Sequence, residues 1–250
     1  MSNSIIEISG DGLIAATTCP AKYWFYRCSK SIKKQYTTNE IIFYCLRTGI
    51  RKYYRLWTDS NVQPDITDLN KIISQIYATE YKNQPSFDKV MERTCQLTKA
   101  FITNHPVGMK PRLIGAKFHT PFPSSQPVYM LSDIIDATIS DYKEREFLIA
   151  VSYNHIRDSY NLQRTLAYLG YQILRSGAVP YNILTFNLSG SWVQDSVDEN
   201  DIQELHQACE LTQFLHISKN TARHTGLACK YCGYLNVCKN NSSLRNVNST

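Results

Sequence analysis

A chain of 250 residues with 43% hydrophobic and 12% aromatic side chains is long enough for one large domain or two small ones, and it can bury a real core. No apolar run approaches a membrane span, and the first residues carry Glu7 and Asp11 rather than the basic start of a secretory signal, so an intracellular protein (cytoplasmic or in a virion) is expected rather than a membrane-spanning or secreted one. The net charge of +6 is confined to one end: nine basic residues against three acids lie between Met1 and Trp57, and the remainder is balanced at eighteen of each.

The chain opens with a helical stretch capped by Asp11, running through Leu13 and Ile14 to Cys19-Pro20, and an aromatic helix follows from Lys22 to Arg27 with Pro20 in its first turn. Lys22, Arg27, Lys30, Lys33, Lys34, Arg51 and Lys52 are interleaved here with Tyr23, Trp24, Tyr26, Tyr36, Tyr53 and Tyr54. Basic side chains among aromatics suit a phosphate backbone with bases to stack on, so DNA is the expected partner; the alternative is a solvated helical face beside a core stripe. The next helix starts at Thr38 or Asn39 and runs to about Trp57, with Ile42, Leu46, Gly49, Tyr53 and Trp57 at helical spacing. Two amphipathic helices follow, one through Leu69, Ile72, Ile73, Ile76 and Tyr77, and one from Phe87 to Ile102 with Ser86 as its cap. Pro106, Gly108 and Pro111 end this helical arm, about residues 38–105.

The pattern then changes to strands. Arg112 to Phe118 reads as one, and Val128–Ile139 with Phe147–Tyr153 as a hairpin turning through Ser140–Glu146. A helix is expected over Ser159–Ser176, a strand over Tyr181–Leu188 and a helix over Asp201–Lys219, with a disordered Asn- and Ser-rich tail at 241–250. No repeat or domain-sized linker interrupts 1–240. The expected fold is one α/β domain, a mixed central sheet flanked by helices (core about 112–219), with a helical N-terminal arm and a C-terminal cysteine segment (226–240).

Cysteines carry the sharpest signal. Cys229, Cys232 and Cys238 form a C-x2-C-x5-C run, in which two thiolates grip one metal centre from a tight turn relieved by Gly233. A cluster or a tetrahedral metal wants four ligands, and Cys19 is the best-placed fourth. The site would then clasp the first helix to the last segment. An iron–sulfur cluster, a zinc ion and no metal are the three readings, and zinc ribbons normally use two local C-x2-C pairs where only one stands here. Cys28, Cys45, Cys95 and Cys209 lack such spacing and read as small buried apolar side chains.

The order of these elements, with Cys19-Pro20-x-x-Tyr23-Trp24 at the start and C-x2-C-x5-C at the end, resembles the iron–sulfur branch of the RecB-like PD-(D/E)XK nucleases, which includes CRISPR-associated adaptation exonucleases and AddB-type nuclease domains. The resemblance spans nearly the whole chain. It implies a restriction-endonuclease-like core that cuts DNA with a divalent metal, and a 4Fe–4S cluster on Cys19, Cys229, Cys232 and Cys238. The chemistry needs an Asp on one strand and acid-x-Lys on the next, both pointing from one face so that carboxylates hold Mg²⁺ or Mn²⁺. Asp136 matches the first position, but Ala150 and Ser152 stand where the acid and lysine belong. Tyr53, four residues after Gly49, replaces a metal-binding His, and Gln163 matches a helix Gln.

The resemblance therefore implies a nuclease scaffold whose catalytic set has been lost, kept for binding DNA or holding a protein partner (a further protein or a second copy), with a virus or mobile element as one expected source. An alternative builds a working site from displaced residues, namely Asp133, Asp136, Asp141, Lys143 and Glu144, with Mg²⁺ or Mn²⁺ required only in that case. A third reading makes the cluster a redox sensor that controls DNA binding.

Overall fold

The computed structural model describes residues 6–28, 36–81, 87–122, 129–152, 157–219, 222–224, 229, 232–240 and 246–247. In chain order, β1 (Ile6–Ser9) leads into α1 (Gly10–Thr18) and α2 (Pro20–Arg27), then α3 (Thr38–Ser60), α4 (Ile66–Ile76), a single π-helical turn (Tyr77–Tyr81) and α5 (Phe87–Thr103). Strands β2 (Lys110–Ile114), β3 (Lys117–Pro121), β4 (Tyr129–Ile134), β5 (Ala137–Ser140) and β6 (Glu146–Ser152) come next. The chain finishes with α6 (Arg157–Leu174), β7 (Asn182–Asn187), β8 (Trp192–Asp195), α7 (Glu199–Ser218), β9 (Arg223–His224), α8 (Leu235–Asn240) and β10 (Asn246–Val247). The fold is α/β, with mixed sheets and helices packed on them. No helix among the described residues is long and apolar enough to cross a membrane.

Two compact units are distinguished, one of Met1–Thr37, His119–Ser132 and Glu199–Thr250, the other of Thr38–Phe118 and Asp133–Asp198. In the first, Ile6–Ser9 pairs in parallel with Tyr129–Ser132, in a sheet ordered β1-β4-β3. Ser9, not Asp11, caps α1, because its side chain accepts the Gly12 N–H, and Asp11 lies inside the first turn. Cys19 has extended backbone between α1 and α2, and Pro20 opens α2 where its missing N–H costs nothing. Within the tail, Asn246–Val247 pairs with Arg223–His224; the rest of 241–250, Ser86, Lys30, Lys33 and Lys34 lie outside the described residues.

The second unit holds a mixed five-stranded sheet ordered β2-β5-β6-β7-β8. Every residue of β6 from Phe147 to Ser152 is buried, so this strand reads as a continuous apolar run rather than an alternating one. Leu148, Ile183, Phe118, Ile135 and Tyr171 form one core cluster beneath α6. Gly170 permits that contact: a Cβ there would stand 2.4 Å from the Phe118 ring and 3.0 Å from Ile135. Two expected strands are each broken in two. Gly115 takes a left-handed φ of 57° between β2 and β3, and the stretch expected as one strand through Ile139 bends at Ile135–Asp136 between β4 and β5. The expected hairpin is formed by the second piece alone, with Ala137 opposite Ile149 and Ser140 opposite Glu146. Strand β8 lies outside the expected set; it follows a turn at Gly190 with φ 91°.

The arm's core is aromatic. Tyr53, Tyr54, Trp57 and Phe101 meet mostly edge to face, with centroids 5.6–6.4 Å apart, and His105 joins them at 5.6–5.8 Å. The imidazole lies 3.0 Å from both the Tyr54 hydroxyl, through Nε2, and the Pro106 carbonyl, through Nδ1. The tautomer that satisfies both is neutral, with Nδ1–H donating to the carbonyl and Nε2 accepting the Tyr54 O–H. Burial pushes the His105 pKa from 6.5 down to about 4, against the opposing pull of the Pro106 carbonyl. Below pH 6.5 the unfolded chain takes up a proton that the folded chain refuses. Stability is therefore complete above about pH 6.5 and falls as pH drops toward 4, by up to about 3 kcal/mol. Thermal melts stepped from pH 7 to pH 4 are expected to show this loss, and His105→Gln to lack its share of it.

Candidate functional site

The bend between β4 and β5 brings Asp136 into the interior, where it is 3% exposed. Its Oδ1 accepts the Arg47 Nε–H at 2.6 Å and lies 3.8 Å from Arg51 Nε. Its Oδ2 accepts the Val151 N–H at 3.2 Å, and Arg47 also donates to the Ile134 carbonyl at 3.1 Å. Arg47 and Arg51 are one helical turn apart on α3, so one face of that helix delivers both guanidinium groups to the same carboxylate. Burial lowers the Arg51 pKa, Asp136 and Asp133 work against that, and Arg47 and Arg55 add to it. Gly115 passes beneath this row; a Cβ there would stand 3.2 Å from an Arg55 guanidinium nitrogen.

The register places the partner positions. Ala137 opposes Ile149, so one step further along each strand Asp136 stands level with Ala150. Ala150 and Ser152 alternate in step with Leu148, which faces α6. Ala150 neighbours Thr185 on β7. The hydroxyls of Ser152 and Thr185 and the Gln163 side-chain carbonyl on α6 are buried without a hydrogen-bond partner. Neutral oxygens thus line the region where acid and lysine would stand, and the one carboxylate beside it has both oxygens engaged, one by a guanidinium. Such a donor set does not fit a divalent cation, which needs more anionic charge to give up its waters.

The displaced set does not gather at one point. Asp141 is in the β5–β6 turn, where its carboxylate accepts the N–H groups of Lys143 (2.9 Å) and Arg145 (3.0 Å) and pairs with the Arg145 guanidinium. Burial would raise its pKa, but those bonds to Arg145 and Lys143 lower it. Glu144 pairs with Arg112 in the same turn, and Asp133 accepts its neighbour's N–H from Ile134 at 2.7 Å. Tyr53 sits in the aromatic core, where its hydroxyl accepts a bond from Gln63 at 3.2 Å.

In the first unit, Cys19, Cys232 and Cys238 pack against one cluster built on Ala21, Phe25 and Tyr234, with the Phe25 and Tyr234 rings stacked at 5.5 Å. The Cys232 N–H bonds the Cys229 carbonyl at 3.1 Å, closing the turn of the C-x2-C pair. Burial raises the pKa of Cys232, Lys22 lowers it, and Cys19 and Cys229 raise it further. Cys238 is raised by burial first and then by the other three thiols, against Arg223. Four soft donors from both ends of the chain thus share one neighbourhood, which is the chemistry a cluster or zinc uses, although no three His, Cys, Asp or Glu are gathered tightly enough to hold a metal ion among the described residues. Cys45 and Cys209 are fully buried, with burial pushing both thiols up to about 12, whereas Cys28 and Cys95 are half-buried. Of the basic residues expected to meet DNA, Arg27 and Lys52 are exposed and Lys22 is half-buried. Half-buried Arg51 is turned to Asp136.

Sequence reasoning missed the partner of Asp136. The available signal was Arg47, Arg51 and Arg55 at four-residue spacing along α3.

No family model and no curated protein matches this chain. Among solved structures, it is similar to a protein of Eubacterium rectale described as a “putative exonuclease”, at 10% identity and TM-score 0.54, covering 97% of this chain and 91% of that one. At that identity the likeness is one of fold. The structure of SSO0001 also aligns, at 13% identity over 88% of this chain and 93% of that one, with a TM-score of 0.35.

Removing Arg47 would strand a buried carboxylate. Arg47→Met is expected to destabilise the protein by about 3 kcal/mol, and Asp136→Asn added to it to recover most of that loss, since a neutral amide needs no counter-charge. Urea unfolding of the two single variants and the double variant measures the coupling.

Proposed function

We propose that this chain is a catalytically silent relative of the RecB-like nucleases that holds nucleic acid without cutting it, its ends fastened by a metal centre on Cys19, Cys229, Cys232 and Cys238. The observation that carries this reading is the Arg47–Asp136 pair. In a metal-dependent nuclease the strand aspartate must present free lone pairs to a cation. Here a guanidinium neutralises it, and Ala150 and Ser152 supply neither acid nor lysine. The nuclease-like fold of the Eubacterium rectale structure supports the scaffold half of the reading.

Binding is assigned to the surplus positive charge of the N-terminal segment, through Lys22, Arg27, Lys30, Lys33, Lys34 and Lys52, while Arg51 is engaged by Asp136. It would be independent of sequence and weaken steeply with salt. A structural cluster would contribute by closing the unit from both ends, with the four thiolates as its ligands.

With Mg²⁺ or Mn²⁺, the purified protein is expected to leave labelled linear DNA, single- or double-stranded, intact. Cleavage abolished by Asp136→Ala would overturn the reading and favour a working site. Writing the chemistry back requires freeing the aspartate as well as restoring its partners, so the variant to test is Ala150→Glu, Ser152→Lys and Arg47→Met together. Metal-dependent cutting by this variant would establish the register.

For the clasp, anaerobic purification is expected to yield a brown protein with four iron and four sulfide per chain, as the proposed cluster requires. Cys232→Ser is expected to lose the colour and lower Tm by about 10 °C or more, because a metal bound only to the folded state adds its binding energy to stability. Stoichiometric zinc would make it a zinc clasp, and metal-free protein with unchanged Tm in Cys232→Ser would remove the centre from the proposal.

A further inference from the structure

The end of the second unit's sheet opposite Asp136 carries two exposed tyrosines, Tyr142 and Tyr181, the second also packed edge-on against Phe147 at 5.1 Å. Strand β5 runs from Ala137, beside Asp136, to Ser140, so the β5–β6 turn lies about 15 Å from that aspartate at ~3.3 Å per residue. In this turn Tyr142 is 82% exposed. At the start of β7, Tyr181 is 57% exposed, and its N–H bonds the Glu146 carbonyl at 2.8 Å. Each ring carries a cation on it: Lys143 Nζ is 5.5 Å from the Tyr142 centroid, and the Arg145 guanidinium carbon 4.3 Å from that of Tyr181.

Charge at this end is unevenly matched. Lys110, Arg112, Lys143, Arg145 and Arg175 are opposed by Asp141, Glu144 and Glu146, and those three carboxylates are all taken. Asp141 is held by Arg145 and Glu144 by Arg112. Glu146 accepts the Tyr171 hydroxyl at 2.7 Å and pairs with Arg175. Among the described residues, Lys110 and Lys143 form no ion pair, and Lys110 lies at the same end because it opposes Ser140 across the β2–β5 ladder.

The turn is also rigid. The Asp141 N–H bonds the Arg145 carbonyl at 3.2 Å, the Glu144 N–H bonds the Asp141 carbonyl at 3.1 Å, and Asp141 Oδ1 receives two further N–H groups. Glu144 is held at a φ of 58°, a left-handed conformation that a non-glycine residue keeps only when its surroundings impose it. A flexible turn would lose entropy on ordering an exposed aromatic against a ligand, whereas this one presents it already placed.

We propose that this end of the sheet is a binding platform for unpaired nucleotides, with Tyr142 and Tyr181 stacking on bases and Lys110 and Lys143 meeting phosphates. The chemistry selects single strands, because a duplex keeps its base faces stacked inside. Stacking on a π-face and attraction to phosphate are both tolerant of sequence, so recognition here is expected to be as well. The proposal rests on the nucleic-acid half of the reading above, but on different residues, and so it can fail separately.

The test is fluorescence anisotropy with labelled oligothymidylate and oligouridylate fifteen nucleotides long, across a salt series. Tyr142→Ala and Tyr181→Ala are each expected to weaken binding roughly 5- to 100-fold. Tyr142→Phe and Tyr181→Phe should restore it, since stacking needs the ring and not the hydroxyl. Lys143→Gln is expected to reduce the log–log salt slope by about one, and unlabelled duplex should compete poorly. The two oligonucleotides decide whether DNA or RNA is preferred. Both alanine variants binding like wild type would overturn the platform, and so would tyrosine variants that alter only the oligomeric state in light scattering. If instead neutralising Lys33, Lys34 and Lys52 abolishes binding while the tyrosine variants do not, the platform fails and the N-terminal reading stands. A wild type that binds neither oligonucleotide at low salt overturns both.

Discussion

The second unit turns on one buried ion pair. Asp136 sits where the chain leaves one sheet and joins another, and a carboxylate at such a depth must be neutralised or paired. Arg47 does both, by a short charge-assisted bond to Oδ1 and a second bond to the Ile134 carbonyl freed by the bend. The Val151 N–H takes the other oxygen. One side chain of α3 thus ties together a helix, the end of β4 and the middle of the sheet. Gly115 lies beneath the row of arginines on that helix, and its left-handed φ of 57° calls for glycine there.

That arrangement also explains why the surrounding polar positions can be neutral. A cation already stands at the carboxylate, so the lysine and second acid of a metal site have no charge to balance. What stands nearby is alanine, serine and threonine, with buried hydroxyls and a glutamine carbonyl left without protein partners. Each such group costs about 1–3 kcal/mol unless ordered water satisfies it.

The first unit depends on a different constraint. Its segments come from three stretches of the chain, and the thiols of Cys19, Cys232 and Cys238 meet around Phe25 and Tyr234. Burial raises the Cys232 and Cys238 thiols, and the neighbouring thiols add to that rise.

Much of this architecture is legible in the sequence, because it rests on local rules. Helical periodicity gave α3 to α7 to within a few residues, apolar runs either side of the charged stretch Ser140–Glu146 gave the β5–β6 hairpin, and Cys19-Pro20 marked the junction of α1 and α2 since proline's fixed φ suits a first turn. The level pairing of Asp136 with Ala150 follows from counting residues through a tight turn. What only tertiary structure decided is what each polar group meets. Strand breaks at Gly115 and at Ile135–Asp136 depend on which sheet each half joins, and β8 becomes a strand only because β7 offers it an edge. Tyr53 could be placed four residues after Gly49, but not in an aromatic core with Phe101, which is 48 residues away in the chain. Arg47 and Asp136 are 89 residues apart, and no local pattern links them. Their pairing arises because a buried charge must find its opposite in space, and the fold determines which one is within reach.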